Sequence, residues 1–108
     1  MKKLGLYYVF DRIDDTAITP VITSTNDLTA ALGFRNAYIA NKQTKLNYQS
    51  LQLVHFGQVF VDEEGRFTVD VDFKDKSIIQ GSDIMTFIQS EMTARGIKDD
   101  FLEEDKEE

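Results

Sequence analysis

Alternating hydrophobic and polar positions predict a first strand over residues 4–10. One side of this strand carries Leu4, Leu6, Tyr8 and Phe10, and the other carries Gly5, Tyr7 and Val9. Both sides are largely apolar, which is typical of a central strand. Residues 17–23 form a weaker strand candidate. Because Pro20 has no amide donor, we expect this second piece at a sheet edge.

A β-hairpin is predicted over residues 49–61 and 66–73, with its turn at 62–65. Gly65 can adopt the left-handed conformation that closes a bulged hairpin. The second strand alternates, which predicts one side in the core and one in water. Its core side would carry Phe67, Val69, Val71 and Phe73. The first strand is apolar on both sides, with Val54, Phe56 and Phe60 opposite Leu51, Leu53, Val59 and Val61.

Two helices follow from helical spacing of apolar residues. The first is predicted to start within residues 24–27, where Ser24 and Asp27 have capping-box spacing, and to end near Asn41. The second is predicted to begin at Ser82 or Asp83 and to stop at Gly96. Its buried stripe would consist of Ile84, Phe87, Ile88 and Met92, flanked by Met85.

This order of elements predicts an α+β fold: a small antiparallel sheet of three to four strands with two helices on one face. Residues 1–97 would form one domain, and residues 98–108 a disordered acidic C-terminal tail. An uncovered sheet edge invites strand addition by a second copy, so we expect a homodimer.

Composition narrows the function classes. The chain has 42% hydrophobic and 11% aromatic residues, enough for a core, but no Cys and a single His. Disulfides, thiolate chemistry and a histidine-rich zinc site are therefore excluded, and we expect no cofactor. No apolar run approaches the roughly 18 residues of a membrane helix, and the N-terminus lacks a signal-peptide cleavage site. We expect a location in the cytoplasm and no membrane partner.

Charge is concentrated at the C-terminus. The full chain carries −7, and residues 98–108 carry −5 of it, from seven acids and two bases. Residues 1–97 therefore carry −2, with ten bases and twelve acids. A nearly neutral body can present a basic face, so nucleic acid stays open as a partner.

Catalytic motifs are missing from the sequence. No phosphate loop, nucleophile elbow or metal-binding helix motif occurs. Asp70 and Asp72 share one side of a strand but lack a third fixed ligand, so a solvated strand surface is the expected role. His55 lies in mid-strand without a neighbouring acid and is expected to be a packed or edge histidine. We predict that the protein is not an enzyme; activity would need Asp70, Asp72 and His55 to gather around an ion.

Aromatic residues on strands suggest a single-stranded nucleic-acid site, because bases stack on aromatic rings beside basic side chains. Packing in the core is the alternative role for these aromatics, and contact with a second subunit is a further one. The candidate nucleic-acid-binding residues are Tyr7, Arg12, Arg35, Lys42, Lys45, Phe56 and Arg66.

The tail also has two interpretations. It is either a solubilising end, or an acidic–apolar peptide in which Phe101 and Leu102 bind a basic protein or fold back over the basic groove of the body.

The N-terminal half contains a series of short motifs at defined spacing. These motifs are a Tyr-x-Val-x-Asp-Arg-like strand at 6–12, Pro20, Asn26-Asp27 leading to Ala30-Ala31, the 34–36 triplet, and an aliphatic strand at 51–56 followed by Gly57, Asp62 and Gly65. Over about residues 4–67 this series resembles the small nonstructural protein of gokushovirus-type microviruses. The chain departs from the family in its longer hairpin, its second helix and its acidic tail.

The resemblance implies a phage protein that binds single-stranded DNA non-specifically and assists the switch from replication to packaging in the host cytoplasm. Arg12 and Arg35 match family motif positions, which makes them the first candidates for phosphate contacts. Each has a structural alternative, Arg12 as a partner of Asp14 or Asp15 and Arg35 as a cap on the core. The rival hypothesis is an interaction module that contacts a replication, capsid or host protein through its tail or apolar sheet face.

Overall fold

Two long antiparallel strands form the centre of the sheet. In the computed structural model, which describes residues 2–40, 47–72, 74 and 76–98, β1 spans Lys2–Asp11 and β4 spans Leu51–Val61. They pair along their whole length, with Lys2 opposite Val61 and Asp11 opposite Leu51. The central position predicted for the first strand is confirmed.

Four short strands extend the two outer edges of this pair. β2 (Thr16–Ala17) and β3 (Ile22–Ser24) both pair with β1, whereas β5 (Phe67–Asp70) and β6 (Ser77–Gln80) both pair with β4. All pairs are antiparallel, and the described part of the chain forms a six-stranded sheet. The α+β class is confirmed, but the strand count exceeds the predicted three to four. The interruption between β2 and β3 contains Pro20, which cannot donate to a ladder.

A register shift divides β4. Tyr7 lies opposite His55 and Leu6 lies opposite Gly57, so Phe56 is an extra residue, a β-bulge. Strand residues therefore change sides at this point. Val59 comes to share a side with Val54, whereas Phe60 moves to the opposite side. The uninterrupted alternation predicted for this strand was wrong because a bulge leaves no mark on the hydrophobic pattern.

Helix α1 spans Asp27–Phe34 and continues directly into a π-helical turn, Arg35–Ile39. Its N-cap is Asn26, whose side-chain Oδ1 accepts a hydrogen bond of 2.8 Å from Thr29 N. This start lies within the predicted segment 24–27, but Ser24 is the last residue of β3, so the capping box predicted from Ser24 to Asp27 was wrong. The predicted end near Asn41 lies outside the described residues.

Helix α2 spans Ile84–Ala94 and follows a 3₁₀ turn, Gly81–Asp83. It stops at Gly96, which has a φ of 68°, with Ile97 N bonded to Met92 O at 2.8 Å. This left-handed cap is the predicted stop. Gly65 likewise has a positive φ of 81° and closes the predicted hairpin.

Both helices pack on one side of the sheet, which we call the helix face; the other side is the open face. The core lies between the helices and the helix face. Its buried members are Tyr7, Val9, Leu28, Ala31, Phe34, Leu51, Leu53, Ile84 and Ile88. The two helices therefore supply five of these nine core residues, and the two central strands supply the other four.

The predicted core side of the second hairpin strand lies on the open face. Phe67 pairs with Val61 and Val69 pairs with Val59, and these valines lie beyond the bulge on the open side. Phe67 is 71% exposed, Val69 62% and Val71 47%. The prediction of burial was wrong because neither described helix covers this side of the sheet. Phe73, the fourth member, lies outside the described residues.

Candidate nucleic-acid interface

The open face is largely apolar, and its uncharged polar residues on the described strands include Thr23, Gln52 and Gln80. Its central strands present Leu4, Leu6, Tyr8, Phe10, Val54, Phe56, Val59 and Val61, and its edge strands present Phe67, Val69 and Ile78. Among the described strand residues on this side there is no carboxylate, and Lys2 carries the charge. Both strand carboxylates, Asp11 and Asp70, lie on the helix face by the same register. Leu6 and Val59 are buried within this face, whereas Phe67, Val69 and Ile78 on its edge strands are mostly exposed. Exposed apolar residues grouped in this way mark a contact site for another molecule.

An aromatic pair occupies the middle of the open face. The ring centroids of Tyr8 and Phe56 lie 5.3 Å apart with their planes tilted by 54°. Both side chains are half-buried, so each ring keeps accessible surface. A shallow depression of about 380 Å³ adjoins Phe56 and is also lined by Lys76 and Ile78. Phe56 therefore sits where the sequence-based hypothesis requires it, on an accessible surface beside a basic residue.

Tyr7 does not belong to this surface. It is 1% exposed, its ring stacks on His55 at 4.3 Å, and its hydroxyl donates a 2.6 Å hydrogen bond to Asp27 Oδ1. Burial raises the pKa of Tyr7 well above its ordinary value, and the hydrogen bond and negative charge of Asp27 raise it further. Its predicted role in base stacking was wrong, because no ring face is left for a base.

The three arginines predicted to contact nucleic acid differ in exposure and in their contacts. Arg35 is only 7% exposed, so its predicted contact with phosphate was wrong. Arg12 is exposed but donates to the carbonyl of Gln49 at 2.9 Å, fastening the end of β1 to the turn before β4. Arg66 lies at the exposed hairpin tip, 3.0 Å from Glu64.

Arg12 does not pair with Asp14 or Asp15 through any described salt bridge; the backbone carbonyls take that place. A guanidinium has five donor hydrogens, so Arg12 retains donors for a phosphate. The other predicted contacts, Lys42, Lys45, Phe101 and Leu102, lie outside the described residues.

The ion-centred enzyme alternative has no geometric support in the described residues. Asp70 accepts hydrogen bonds from Gln58 Nε2 and from the amide of Asp72, both at 3.0 Å, which ends β5 in a side-chain turn. His55 lies instead at Asp27, with Nδ1 3.1 Å from Oδ1. Within residues 2–40, 47–72, 74 and 76–98, no three His, Asp or Glu side chains gather as a metal site.

Two residues of this region, Tyr8 and Asp27, were not among the site residues predicted from the sequence. Tyr8, not Tyr7, faces the open side, and the pattern of β1 could not distinguish them because both sides of that strand are apolar. Asp27 resembled a helix-capping acid, and its separation of 20 residues from Tyr7 and 28 from His55 carries no local signal.

Known proteins give no direct indication of function for this chain, so the functional argument rests on its geometry. The chain matches no protein-family model, and neither a curated protein nor a solved structure matches it. None of the helices in the described part of the chain is both long enough and apolar enough to span a membrane.

Proposed function

We propose that this protein binds single-stranded DNA without sequence specificity on its open face, with Tyr8 and Phe56 as stacking residues. The observation that carries the proposal is their placement on the two central strands, on the sheet face that neither described helix covers. RNA-recognition domains bind unpaired bases on a comparable platform, a sheet whose central aromatics stack two or three bases. The comparison is one of geometry and not of descent.

DNA is favoured over RNA by the resemblance of residues 4–67 to the nonstructural proteins of single-stranded-DNA phages. The same resemblance supports a role in the switch from replication to packaging. On this proposal the open face would hold the newly displaced or newly synthesised DNA strand.

The electrostatic contribution is small. Lys2 lies on the open face, Lys76 lines the depression beside Phe56, and Arg12 follows the end of β1. Each phosphate contact adds about 0.7 to the slope of log affinity against log salt, so three contacts predict a slope of about 2. Stacking would supply most of the affinity, at about 1–3 kcal/mol per base.

The test is a fluorescence-anisotropy titration of a labelled 20-nucleotide single strand at low salt. Tyr8→Leu and Phe56→Leu remove a ring but keep apolar bulk, and each should weaken binding by about fivefold or more, the equivalent of about 1 kcal/mol of lost stacking. Phe87→Leu is the matched control, because Phe87 packs against the core on the helix side. Equal effects at all three positions, or no binding by the unaltered protein, would overturn the proposal.

A second candidate is supported by the exposed edge of the same face. Phe67 and Val69 are more than three-fifths exposed and stand side by side with no described cover. The occupant that fits this surface is a second copy of the chain, since two open faces without strand carboxylates can pack sheet against sheet as in a β-sandwich. The protein would then be a homodimer that uses this face for protein contact, whereas the rival hypothesis from the sequence assigned the face to a replication, capsid or host protein.

The variant Val69→Lys distinguishes the two candidates. It removes an apolar contact and adds a positive charge on the same sheet face as the aromatic pair. Self-association through the open face predicts that the protein becomes monomeric in sedimentation equilibrium. DNA binding predicts unchanged or tighter affinity with a steeper salt slope. A dimer that persists in this variant would refute packing through the open face.

A further inference from the structure

Two pairs of side chains stand back to back through the centre of the sheet. Tyr7 and His55 face each other on the helix face, with ring centroids 4.3 Å apart and planes within 20° of parallel. Their chain neighbours Tyr8 and Phe56 form the aromatic pair on the open face. Each half of the exposed pair is therefore one peptide unit away from one half of the buried pair.

One carboxylate contacts both members of the buried pair. Asp27 Oδ1 accepts the Tyr7 hydroxyl at 2.6 Å and lies 3.1 Å from His55 Nδ1. Asp27 is the first residue of α1, and the Asn26 cap fixes the turn that carries it. We call Tyr7, Asp27 and His55 the clamp. It ties α1 to β1 and β4 at the same level of the sheet.

The clamp acts at the least constrained point of β4. On the outer edge of β4, β6 pairs with residues 52–55 and β5 pairs with residues 58–61. Phe56 and Gly57 lie between them, at the bulge and outside both ladders. Because ladder bonds do not fix Phe56 from that edge, its placement depends on β1 and on the adjoining His55.

We propose that Asp27 is a positioning residue for the open face: through Tyr7 and His55 it sets the geometry of the Tyr8–Phe56 pair on the opposite side of the sheet. The positional claim concerns the free protein. Its consequence for DNA rests on the proposed function.

The surroundings of the clamp allow movement when Asp27 is changed. The clamp lines a pocket of about 320 Å³ between the strands and the two helices, with Gln58, Glu91 and Arg95 in its walls. Asp27 has a side-chain exposure of 38%, so its replacement does not bury a new group. Loss of the carboxylate would therefore let the two rings shift instead of collapsing the core.

The experiment compares Asp27→Asn with Asp83→Asn. Asp83 is the matched control, because it is also an acid at a helix start but makes no side-chain capping bond. Nuclear Overhauser contacts and ring-current shifts of Tyr8 and Phe56 are measured in the free protein, together with the melting temperature. We expect the Tyr8–Phe56 contacts to weaken in Asp27→Asn alone, and Asp27→Glu to restore them in part.

Unchanged Tyr8–Phe56 contacts in folded Asp27→Asn would overturn the inference, even if its melting temperature fell. If that variant does not fold, Tyr7→Phe provides the same test, since it removes only the hydroxyl bond and keeps the ring stack. DNA affinity is the second readout, expected to fall about fivefold. Altered contacts in a protein that never binds DNA would refute the proposed function and leave the positioning role intact.

Discussion

The two faces of the sheet are built from the same strands, yet they differ in how completely their apolar residues are covered. On the helix face, Tyr7 and Leu51 are almost fully buried. On the open face, Leu6 and Val59 on the central strands are also buried, but Phe67 and Val69 on the edge strand β5 remain mostly exposed. The difference at the edge follows from where the two helices pack. An apolar residue of an edge strand is thus buried only where a second layer covers it.

The two faces also differ in their polar groups. On the helix side the Tyr7 hydroxyl donates a hydrogen bond to the Asp27 carboxylate, and the His55 imidazole lies beside the same carboxylate. The described strands of the open face carry no carboxylate at all, so an incoming DNA strand or second sheet meets no buried negative charge. The helix face therefore supports the structure, and the open face is available for binding.

The largest expected effect is the difference in unfolding free energy between a substitution on the helix face and one on the open face. Ile88→Ala empties a fully buried site between α2 and the helix face and should cost about 2–5 kcal/mol. Val69→Ala on the open face should change stability by about 0.5 kcal/mol or less. Urea unfolding of both variants measures the difference. Similar losses would mean that the open face is covered in solution, as by a second subunit.

The next effect compares alanine substitution at two glycines, Gly5 beside the clamp and Gly33 in α1. A methyl group at Gly5 would lie 2.6 Å from a Tyr7 ring carbon and 2.9 Å from His55 Nε2. Gly5→Ala should therefore destabilise the fold by about 1–3 kcal/mol. A methyl group at Gly33 in α1 meets nothing within 4 Å, so Gly33→Ala should stabilise the helix by about 0.5–1 kcal/mol. Thermal unfolding gives the two signs, and destabilisation by both substitutions would contradict this account.

A pH titration tests the clamp without disturbing its packing. The pKa of Tyr7 is raised in the folded state above its ordinary value of 10.0. The folded protein thus holds this proton more tightly than the unfolded chain, so its contribution to stability is complete below pH 10 and is lost as pH rises above it. Tyr7→Phe should remove that part of the alkaline loss. Absorbance at 295 nm and urea unfolding at several pH values would show it; equal alkaline slopes in both proteins would exclude the linkage.

The smallest expected effect concerns the tail. Ending the chain at Ile97 removes a charge of −5 and should tighten DNA binding a few-fold at low salt, since long-range repulsion is screened as salt rises. Anisotropy titrations at two salt concentrations measure it. An equal gain at both concentrations would indicate direct occlusion of the site in place of long-range repulsion.

Much of the fold could be predicted from local signals. The hairpin turn at Gly65, the stop of α2 at Gly96 and the buried stripe of Ile84 and Ile88 each follow from short-range chemistry, and each is confirmed. The site was only partly predictable. Phe56 lies on the accessible face, whereas Tyr7 and Arg35 are buried, because exposure depends on packing partners that are distant in sequence.

The sequence by itself determined the α+β class, both helical stripes and the apolar character of both central strands. Tertiary structure alone decided which strand side became the core, since two-sided apolar strands fit either choice until the helices pack. It also decided the bulge at Phe56, which exchanges the sides of all later β4 residues, and the meeting of Tyr7, Asp27 and His55. These depend on register and on contacts over 20 or more residues, which no local pattern encodes.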